Sequence, residues 1–441
     1  MPRPQPARRR KGAAPGDGTP ARYAAAEAIA AITDDGATLQ TALDSLGQGL
    51  DGRDSAFARA IVRTTIRRRG DIDWCLSQLM NKALPKKAAF VRAVLRMSAA
   101  QLLFMRQADH SAVNAGVAIL KRDGSTGGFA GLANAVLRRL IRERDDLLAR
   151  LPEEANTPPW LWARWRAHYG ADAAKAIAEA HRQEPPLDLA LAPGAKPPCE
   201  GVSLPTGGLR LTPQDVAALD GYDEGAFWVQ DWAAQLPARL LGDVAGKTVL
   251  DLCAAPGGKT MQLASAGAMV TAVEANPERA ERLAENLQRT RLSDHVTILV
   301  ADAADATGTF DAVLLDAPCS STGTLRRHPD VAWAKSMRDI ESLAKVQARL
   351  LDAAVERVAP GGVLVYATCS LEPEEGEAQA ARAAQHTGLT HDPITAAEVG
   401  PFATDEGYLR TLPFMSAGDG ASDDAGPTGL DGFFAARLRK Q

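Results

Sequence analysis

The chain has 441 residues, is 46% hydrophobic and 24% charged, and carries a formal net charge of −4. Its length and apolar content suffice for two or three domains with substantial cores. No uninterrupted apolar run is long enough to span a bilayer and no apolar signal-peptide core follows the N-terminus, so a cytoplasmic protein without membrane attachment is expected. Five scattered cysteines, Cys75, Cys199, Cys253, Cys319 and Cys369, are odd in number, which argues against a disulfide framework and for a reducing compartment. Without a CxxC pair or clustered His/Cys spacing, no metal site is expected.

Charge is unevenly distributed. Residues 1–150 carry 25 Lys and Arg against 14 Asp and Glu, a balance of +11; the remainder carries 25 against 40, a balance of −15. A basic segment joined to an acidic one points to a polyanion-binding module attached to a domain with another task. A solvated basic surface is the alternative.

In chain order, residues 1–20, "MPRPQPARRRKGAAPGDGTP", are expected to form a disordered basic tail. A helical pattern then covers 21–150. In "DSAFARAIVRTTIRRRGDIDWCLSQLM", Phe57, Ile61, Val62 and Ile66 share one helical face. Arg59, Arg63 and Arg67 recur four apart on another face, a basic stripe that suits RNA phosphates. "FVRAVLRMSAAQLLFM" and "GLANAVLRRLIRER" read as further helices joined through the turn "RDGSTGGFAG", completing an all-α bundle. Residues 151–160, "LPEEANTPPW", read as a linker because Pro158 and Pro159 cannot continue a helix. Residues 161–235 read as a helical stretch to about Gln183 followed by a small α+β subdomain, with Trp160, Trp162 and Trp165 as packing residues.

From 236 to 441 strands and helices alternate. "KTVLDLC", "AMVTAVE", "VTILVA", "DAVLLD" and "GGVLVYA" are buried-strand candidates, separated by helical segments such as "NPERAERLAENLQRT". Repeated βα units predict an α/β, doubly wound Rossmann-like sheet that binds ligands beyond the carboxyl ends of its strands. Residues 413–429 read as a flexible insertion, after which "DGFFAARLRK" returns as a closing strand.

The first strand-to-helix turn, "VLDLCAAPGGKT", carries Gly257 and Gly258, which let a ligand approach backbone N–H groups at a helix start. The G-x-G-x-x-G of dinucleotide enzymes is missing. Glu274, Asp302 and Asp316 end the second, third and fourth strands. An acid after the second strand suits ribose hydroxyls, and one after the third suits an exocyclic amine such as that of adenine. Any one of them alone could equally cap a helix. Three in register point to an adenosine-containing ligand without a pyrophosphate.

Cys319 and Cys369 follow the fourth and fifth strands, so both face that same edge, and each precedes a serine. Cys253 reads as a small apolar filler. A polar strand-end loop can favour the reactive thiolate. A cysteine, the acid Asp316 and a methyl-donor pocket together solve one chemical problem: carbon 5 of cytosine is a poor nucleophile. Thiolate addition to carbon 6, with an acid at ring N3, makes carbon 5 enamine-like and able to attack a sulfonium methyl.

"LDLCAAPGGKT", "LLDAPCSSTGTLRRHPDVAW", "ATCSLEPEEGE" and "DGFFAARLRK" resemble the motif series of RNA cytosine-C5 methyltransferases. The N-terminal strings "RMSAAQLLFM" and "GLANAVLRRLI" resemble the NusB-like domain of the RsmB (Sun/Fmu) ribosomal-RNA branch. The resemblance implies a NusB-like helical RNA-binding domain, then the small α+β subdomain and a class I methyltransferase domain that uses S-adenosylmethionine. It implies that Cys253, Ala254, Ala255, Pro256, Gly257, Gly258 and Lys259 line the donor loop, that Glu274 holds the ribose, that Asp302 meets the adenine, and that Asp316 contacts donor and cytosine. It makes Cys369 of "TCS" the nucleophile and Cys319 of "PCS" the residue that assists release. DNA cytosine methyltransferases attack from a Pro-Cys motif, and residue chemistry alone does not choose between the two. Arg326 and Arg327, beside His328 in "TLRRHPDVAW", are candidate RNA contacts on the acidic part. The implied partner is RNA, 16S ribosomal RNA or an assembling small subunit, with the protein a monomer. A non-catalytic NusB-like RNA-binding regulator with a vestigial methyltransferase domain is the competing reading, and both cysteines, Asp316 and the intact glycine loop speak against it. A nicotinamide-dependent oxidoreductase is a third, weakened by the missing fingerprint.

Overall fold

The computed structural model describes residues 18–46, 49–105, 107–122, 124–385, 388–416 and 428–441. Most of the expected tail (1–20) and most of the expected insertion (413–429) lie outside the described residues, although Thr19 and Pro20 already belong to the first helix. Two compact units result, Met1–Pro159 and Trp160–Gln441. Among the described residues no helix is long and apolar enough to cross a membrane.

The first unit is built of helices α1 (Thr19–Asp34), α2 (Leu39–Ser45), α3 (Gly52–Arg67), α4 (Arg69–Leu79), α5 (Ala89–Leu103), α6 (Asp109–Arg122) and α7 (Ala130–Ala149). Every residue of α5 from Ala93 to Leu102 is buried, which makes it the central helix, packed by α1, α3, α4, α6 and α7. On α3, Ile61, Val62 and Ile66 face the core, whereas Arg63 is exposed and Arg59 and Arg67 are half-buried. The run that follows breaks at Arg68, and in the first turn of α4 Gly70 lies against the 155–156 backbone. A Cβ there would sit 2.1 Å from the Ala155 carbonyl oxygen, and the Gly70 N–H donates to Asn156 Oδ1. Helix α6 has no counterpart among the expected helices; the turn "RDGSTGGFAG" follows it.

The second unit opens with α8 (Pro159–Tyr169) and α9 (Ala171–Arg182). Pro159 begins a helix, where a missing N–H costs nothing, so the double proline marks a helix start. Leu161, Trp165 and Ile177 form the core between these helices. Strands β1 (Leu187–Leu191), β2 (Val202–Ser203), β3 (Leu209–Leu211) and β4 (Phe227–Val229) make an antiparallel sheet in the order β2-β3-β1-β4. This small sheet falls inside the second unit, as do α8 and α9.

The main sheet contains β5 (Thr248–Leu252), β6 (Met269–Glu274), β7 (Val296–Val300), β8 (Phe310–Asp316), β9 (Val358–Thr368), β10 (Leu389–His391), β11 (Leu409–Thr411) and β12 (Phe433–Lys440). Its order is β10-β12-β9-β8-β5-β6-β7, with β11 on β12; β5 to β9 are parallel, and the last three strands are antiparallel. Helices α10 (Trp232–Arg239), α11 (Gly258–Ser265), α12 (Pro277–Arg289), α13 (Val331–Ala334), α14 (Met337–Arg357), α15 (Glu377–Ala383) and α16 (Ala396–Val399) complete the unit. Alternate residues of the central strands enter two different cores: Ala312, Leu314, Val363 and Val365 one, Val313, Leu315, Leu364 and Tyr366 the other. Burial on both faces explains why these strands read as unbroken apolar runs. The chain winds outward from β5 through β6 to β7, then crosses to β8 on the other side of β5. The crevice at the carboxyl ends of β5 and β8 is therefore the topological switch point, where such sheets bind ligands.

Asp188 and Arg210 are directly opposed on β1 and β3, with two N–H···O bonds of 2.7 and 2.8 Å and almost no exposure. Asp188 also accepts from the Trp232 N–H at the start of α10, which ties the small sheet to that helix. Asp188→Ala strands the buried guanidinium, and denaturant unfolding should show a loss of about 3–5 kcal/mol. Asp146→Ala, which breaks the exposed i,i+4 pair with Arg150, should cost under about 1 kcal/mol; similar losses for the two would contradict this account.

Candidate active site

At the switch point, β5 runs into the loop that carries the glycine pair. Cys253 has a left-handed φ of 62° and Gly257 one of 106°, and a Cβ on Gly257 would lie 2.5 Å from Leu283 Cδ1. Only glycine fits there. From the first turn of α11, Lys259 reaches the end of β8, where its Nζ lies 2.7 Å from Asp316 Oδ2 and 4.9 Å from the ring centre of Phe433. Lys259 is buried, so its ammonium is held by a carboxylate on one side and an aromatic face on another.

A cavity of about 480 Å³ opens here. Its wall includes Cys253, Ala254, Ala255, Pro256, Gly258 and Lys259 of the glycine loop, together with Asp316 and Cys369. Asp251, near the end of β5, also lines it. Its Oδ2 accepts from the Thr260 hydroxyl at 2.6 Å, while its buried Oδ1 has no hydrogen-bond partner. Burial pushes the Asp251 carboxyl up to about 7; the Thr260 hydroxyl opposes that rise and the charge of Asp316 adds to it.

The two cysteines meet behind this wall. Strands β8 and β9 pair in register with Asp316 opposite Ala367, so both chains leave the sheet at the same level. Cys319 Sγ and Cys369 Sγ lie 3.3 Å apart, and Ser321 Oγ is 3.7 Å from the latter. Cys369 lines the cavity; Cys319 is not among the lining residues. The neighbouring Cys369 sulfur, burial and the carboxylate of Glu375 all raise the Cys319 thiol well above the ordinary thiol range, so Cys319 holds its proton. Cys253 is pushed up to about 12, by burial first and then by the surrounding carboxylates, which leaves it inert. The serine after each cysteine has a structural part: Ser320 and Ser370 are fully buried, their hydroxyls are 3.2 Å apart, and both donate to Glu375 Oε2.

The remaining expected residues divide. Gly257 supports the loop without lining the cavity. Glu274 is buried under the same loop, accepting from the Ala255 and Asn276 N–H groups. Asp302 sits further out: it caps the turn at Ala304 and forms an exposed pair with Arg349. Neither acid is among the residues lining this cavity. Arg326 and Arg327 correct the expectation of an RNA contact. Arg326 is 2% exposed and donates to the Pro413 and Thr428 carbonyls. Arg327 bridges the buried carboxylates of Asp231 and Asp431. Their charge is directed inward, because two buried acids must be offset. Burial raises both carboxyls, yet Arg327 and Arg326 hold Asp231 low, while Asp431 is pushed up to about 7. Only His328 of that string is exposed.

Sequence reasoning missed Asp231, Asp251, Glu375 and Phe433. Arg327 lies 96 residues from Asp231 and 104 from Asp431, so no local pattern joins them. Asp251 reads as an ordinary strand residue, and Glu375 disappears among the acids of "EPEEGE".

Comparison with known proteins identifies the family. Residues 238–439 match the family model described as 16S rRNA methyltransferase RsmB/F, and residues 19–142 match the NusB family. A Yersinia pestis protein named ribosomal RNA small subunit methyltransferase B is 35% identical over 424 residues, 90% of this chain and 96% of the relative. Among solved structures, a protein designated PH0851 shares the fold with a TM-score of 0.73 at 23% identity, over 98% of this chain and all of its own. A methyltransferase homolog from Pyrococcus horikoshii matches 67% of this chain and 98% of its own with a TM-score of 0.52 at 26% identity. The chain belongs to the RsmB/F family of small-subunit ribosomal RNA methyltransferases, with S-adenosylmethionine as its methyl donor.

Proposed function

We propose that the protein methylates carbon 5 of a cytosine in 16S ribosomal RNA through a transient bond between Cys369 Sγ and cytosine carbon 6. The observation that carries this reading is the opening of Cys369 onto the cavity of the glycine loop, Lys259 and Asp316, with Cys319 Sγ 3.3 Å away.

The residues present fit the donor. The unpartnered, buried Oδ1 of Asp251 is an acceptor suited to a cationic N–H group, and the cavity has the size of a small-molecule site. Gly257 and Gly258 allow close approach to the backbone; Glu274 is assigned to the ribose and Asp302 to the adenine end, although neither lines the cavity. S-adenosylmethionine, when bound, supplies an electrophilic methyl group. Asp316, anchored by Lys259, faces the N3 edge of the cytosine. Cys369 adds to carbon 6, and the electron pair displaced toward carbon 5 makes that carbon the nucleophile. Cys319, which keeps its proton, donates to the Cys369 sulfur and steadies its negative charge on approach and on departure. A base, such as a water molecule in the cavity, takes the carbon 5 proton; the electron pair left behind re-forms the carbon 5–carbon 6 double bond as the carbon–sulfur bond breaks and its pair returns to Cys369. The target base must leave its stack to reach the thiol, which suits a single-stranded or flipped nucleotide.

RNA carrying 5-fluorocytosine has no carbon 5 proton to lose. The wild type should form an adduct with it that survives denaturing electrophoresis; Cys369→Ala should form none, and Cys319→Ala should accumulate adduct on unmodified RNA. An adduct in Cys369→Ala and none in Cys319→Ala would reverse the assignment.

Asp251 makes stability depend on pH. Its folded carboxyl titrates at about 7 against 3.8 when unfolded, so its contribution is fully present below about pH 4 and is lost as pH rises through about 7. Urea unfolding of donor-free protein should show Asp251→Asn gaining on the wild type by up to about 4 kcal/mol between those limits. The same variant should bind donor more weakly. A difference that stays flat with pH would remove Asp251 from this role.

Arg59, Arg63 and Arg67 offer phosphate contacts on α3. Replacing all three with Ala should lower the salt slope of RNA binding by about 0.7–0.9 for each phosphate that is no longer neutralised. An unchanged slope would place the RNA-binding surface elsewhere.

A further inference from the structure

Glu375 is fully buried, yet among the described residues it forms no ion pair. Four donors surround its carboxylate. Oε1 accepts from the Ser320 N–H at 2.9 Å and from Gln347 Nε2 at 3.1 Å; Oε2 accepts from the hydroxyls of Ser320 and Ser370. Ser320 follows Cys319, and Ser370 follows Cys369. Gln347, from α14, also donates to the Pro318 carbonyl at 2.9 Å, which holds the backbone just ahead of Cys319. One carboxylate therefore grips the residue next to each thiol and, through Gln347, the residue before one of them.

Burying a carboxylate without a cation is expensive, and several charge-assisted hydrogen bonds are needed to offset it. A loop junction that only had to be filled could use an apolar side chain at no such cost. Here the donors are the very groups that fix the cysteine-bearing loops. Further hydrogen bonds hold the same loops. The Gly323 N–H donates to the Cys369 carbonyl at 3.0 Å, and Arg410 Nη1 donates to the Ser370 carbonyl at 2.6 Å. The Leu371 N–H also donates to Thr322 Oγ1 at 3.0 Å, so several bonds join the two loops; Glu375 is the charged group among them and accepts from both residues that follow the cysteines.

We infer that Glu375 is a positioning residue that sets the distance between Cys319 and Cys369 by clasping Ser320 and Ser370. It is not among the residues that line the cavity. Its effect reaches the reaction through the sulfur–sulfur contact, and in that respect the inference rests on the two-cysteine reading of the reaction. The charge of Glu375 also helps to keep Cys319 protonated, as a donor to the Cys369 sulfur must be.

The test compares wild type, Glu375→Gln, Glu375→Ala and Ser320→Ala in three measurements. The first is closure of the Cys319–Cys369 disulfide by diamide, in which two thiols lose two electrons and two protons to the reagent, and peptide mass spectrometry identifies the linkage. The second is the rate of adduct formation on 5-fluorocytosine RNA, and the third is donor affinity by calorimetry. Glu375→Ala should slow disulfide closure and adduct formation at least tenfold while donor affinity changes less than twofold. Glu375→Gln keeps one acceptor oxygen, for the Ser320 N–H and Gln347, and turns an NH2 donor to the two hydroxyls, which can accept from it; it should stay within about threefold of wild type in both. Ser320→Ala, which leaves Glu375 in place but removes one hydroxyl, should fall between them. Wild-type rates of closure and adduct formation in Glu375→Ala would overturn the inference. So would a loss of donor affinity in proportion to the loss of adduct, because that would make Glu375 a general structural residue. If the wild type forms no adduct while disulfide closure still follows the clasp, the cytosine reading fails and the positioning role stands.

Discussion

The site depends on the parallel pairing of β8 with β9. Because Asp316 lies opposite Ala367 in that ladder, the two chains leave the sheet side by side, and residues 50 apart in sequence bring their sulfurs within 3.3 Å. A slip of one residue would turn every side chain to the other face of the sheet. Asp316 would then leave the crevice, and the cysteine loops would diverge. Register is guarded by alternation into two cores: Val313, Leu315, Leu364 and Tyr366 enter one, Ala312, Leu314 and Val365 the other, and each is buried where it stands. Apolar packing in the middle of the sheet thus fixes polar geometry at its edge.

Buried carboxylates at this edge fall into two kinds. Glu375 has four donors and is saturated by the protein. Asp251 is equally buried but has one oxygen without a partner. Burial without full satisfaction is costly, and the cost is felt as a carboxyl that keeps its proton to about pH 7. Saturation is what a framework group needs, since it must not move when a ligand arrives. An open acceptor on a cavity wall is what a binding group needs. Lys259 stands between the two cases, paired to Asp316 and packed on Phe433 while still facing the cavity.

Much of this is legible in the sequence, for physical reasons that differ by element. The central parallel strands are visible because burial on both faces demands unbroken apolar runs, and the apolar runs of β5 to β9 end within a few residues of the strands themselves; β7, expected to be buried, is instead an edge strand with Leu299 and Val300 exposed, since among the described residues no strand or second core covers it. The glycine pair is visible because a left-handed φ at Gly257 excludes other residues. The cysteines are visible through their place after strands. What cannot be read is long-range charge pairing. Arg326 and Arg327 look like surface cations, because nothing near them in sequence reveals Asp231 and Asp431. The purpose of the serines after the cysteines is hidden likewise, since their shared partner Glu375 becomes adjacent to both only when β8 and β9 pair.

The inward use of arginine also bears on how RNA is held. In the second unit Arg210, Arg326, Arg327 and Arg410 are all engaged with carboxylates or carbonyls, so their charges are offset before a phosphate could meet them. From residue 151 onward the chain has 25 Lys and Arg against 40 Asp and Glu. A surface of that balance repels a polyanion at distances up to a Debye length, about 8 Å at physiological salt. The attraction that brings RNA to the protein must then come from the first 150 residues, whose balance is +11. There the arginines of α3 differ in kind from those of the catalytic unit: Arg63 is exposed and faces water opposite a core of Ile61, Val62 and Ile66. Division of labour follows from charge alone. The basic unit carries the charge that attracts a polyanion, and the acidic unit carries the cavity, whose Lys259 and Arg327 are already paired with carboxylates.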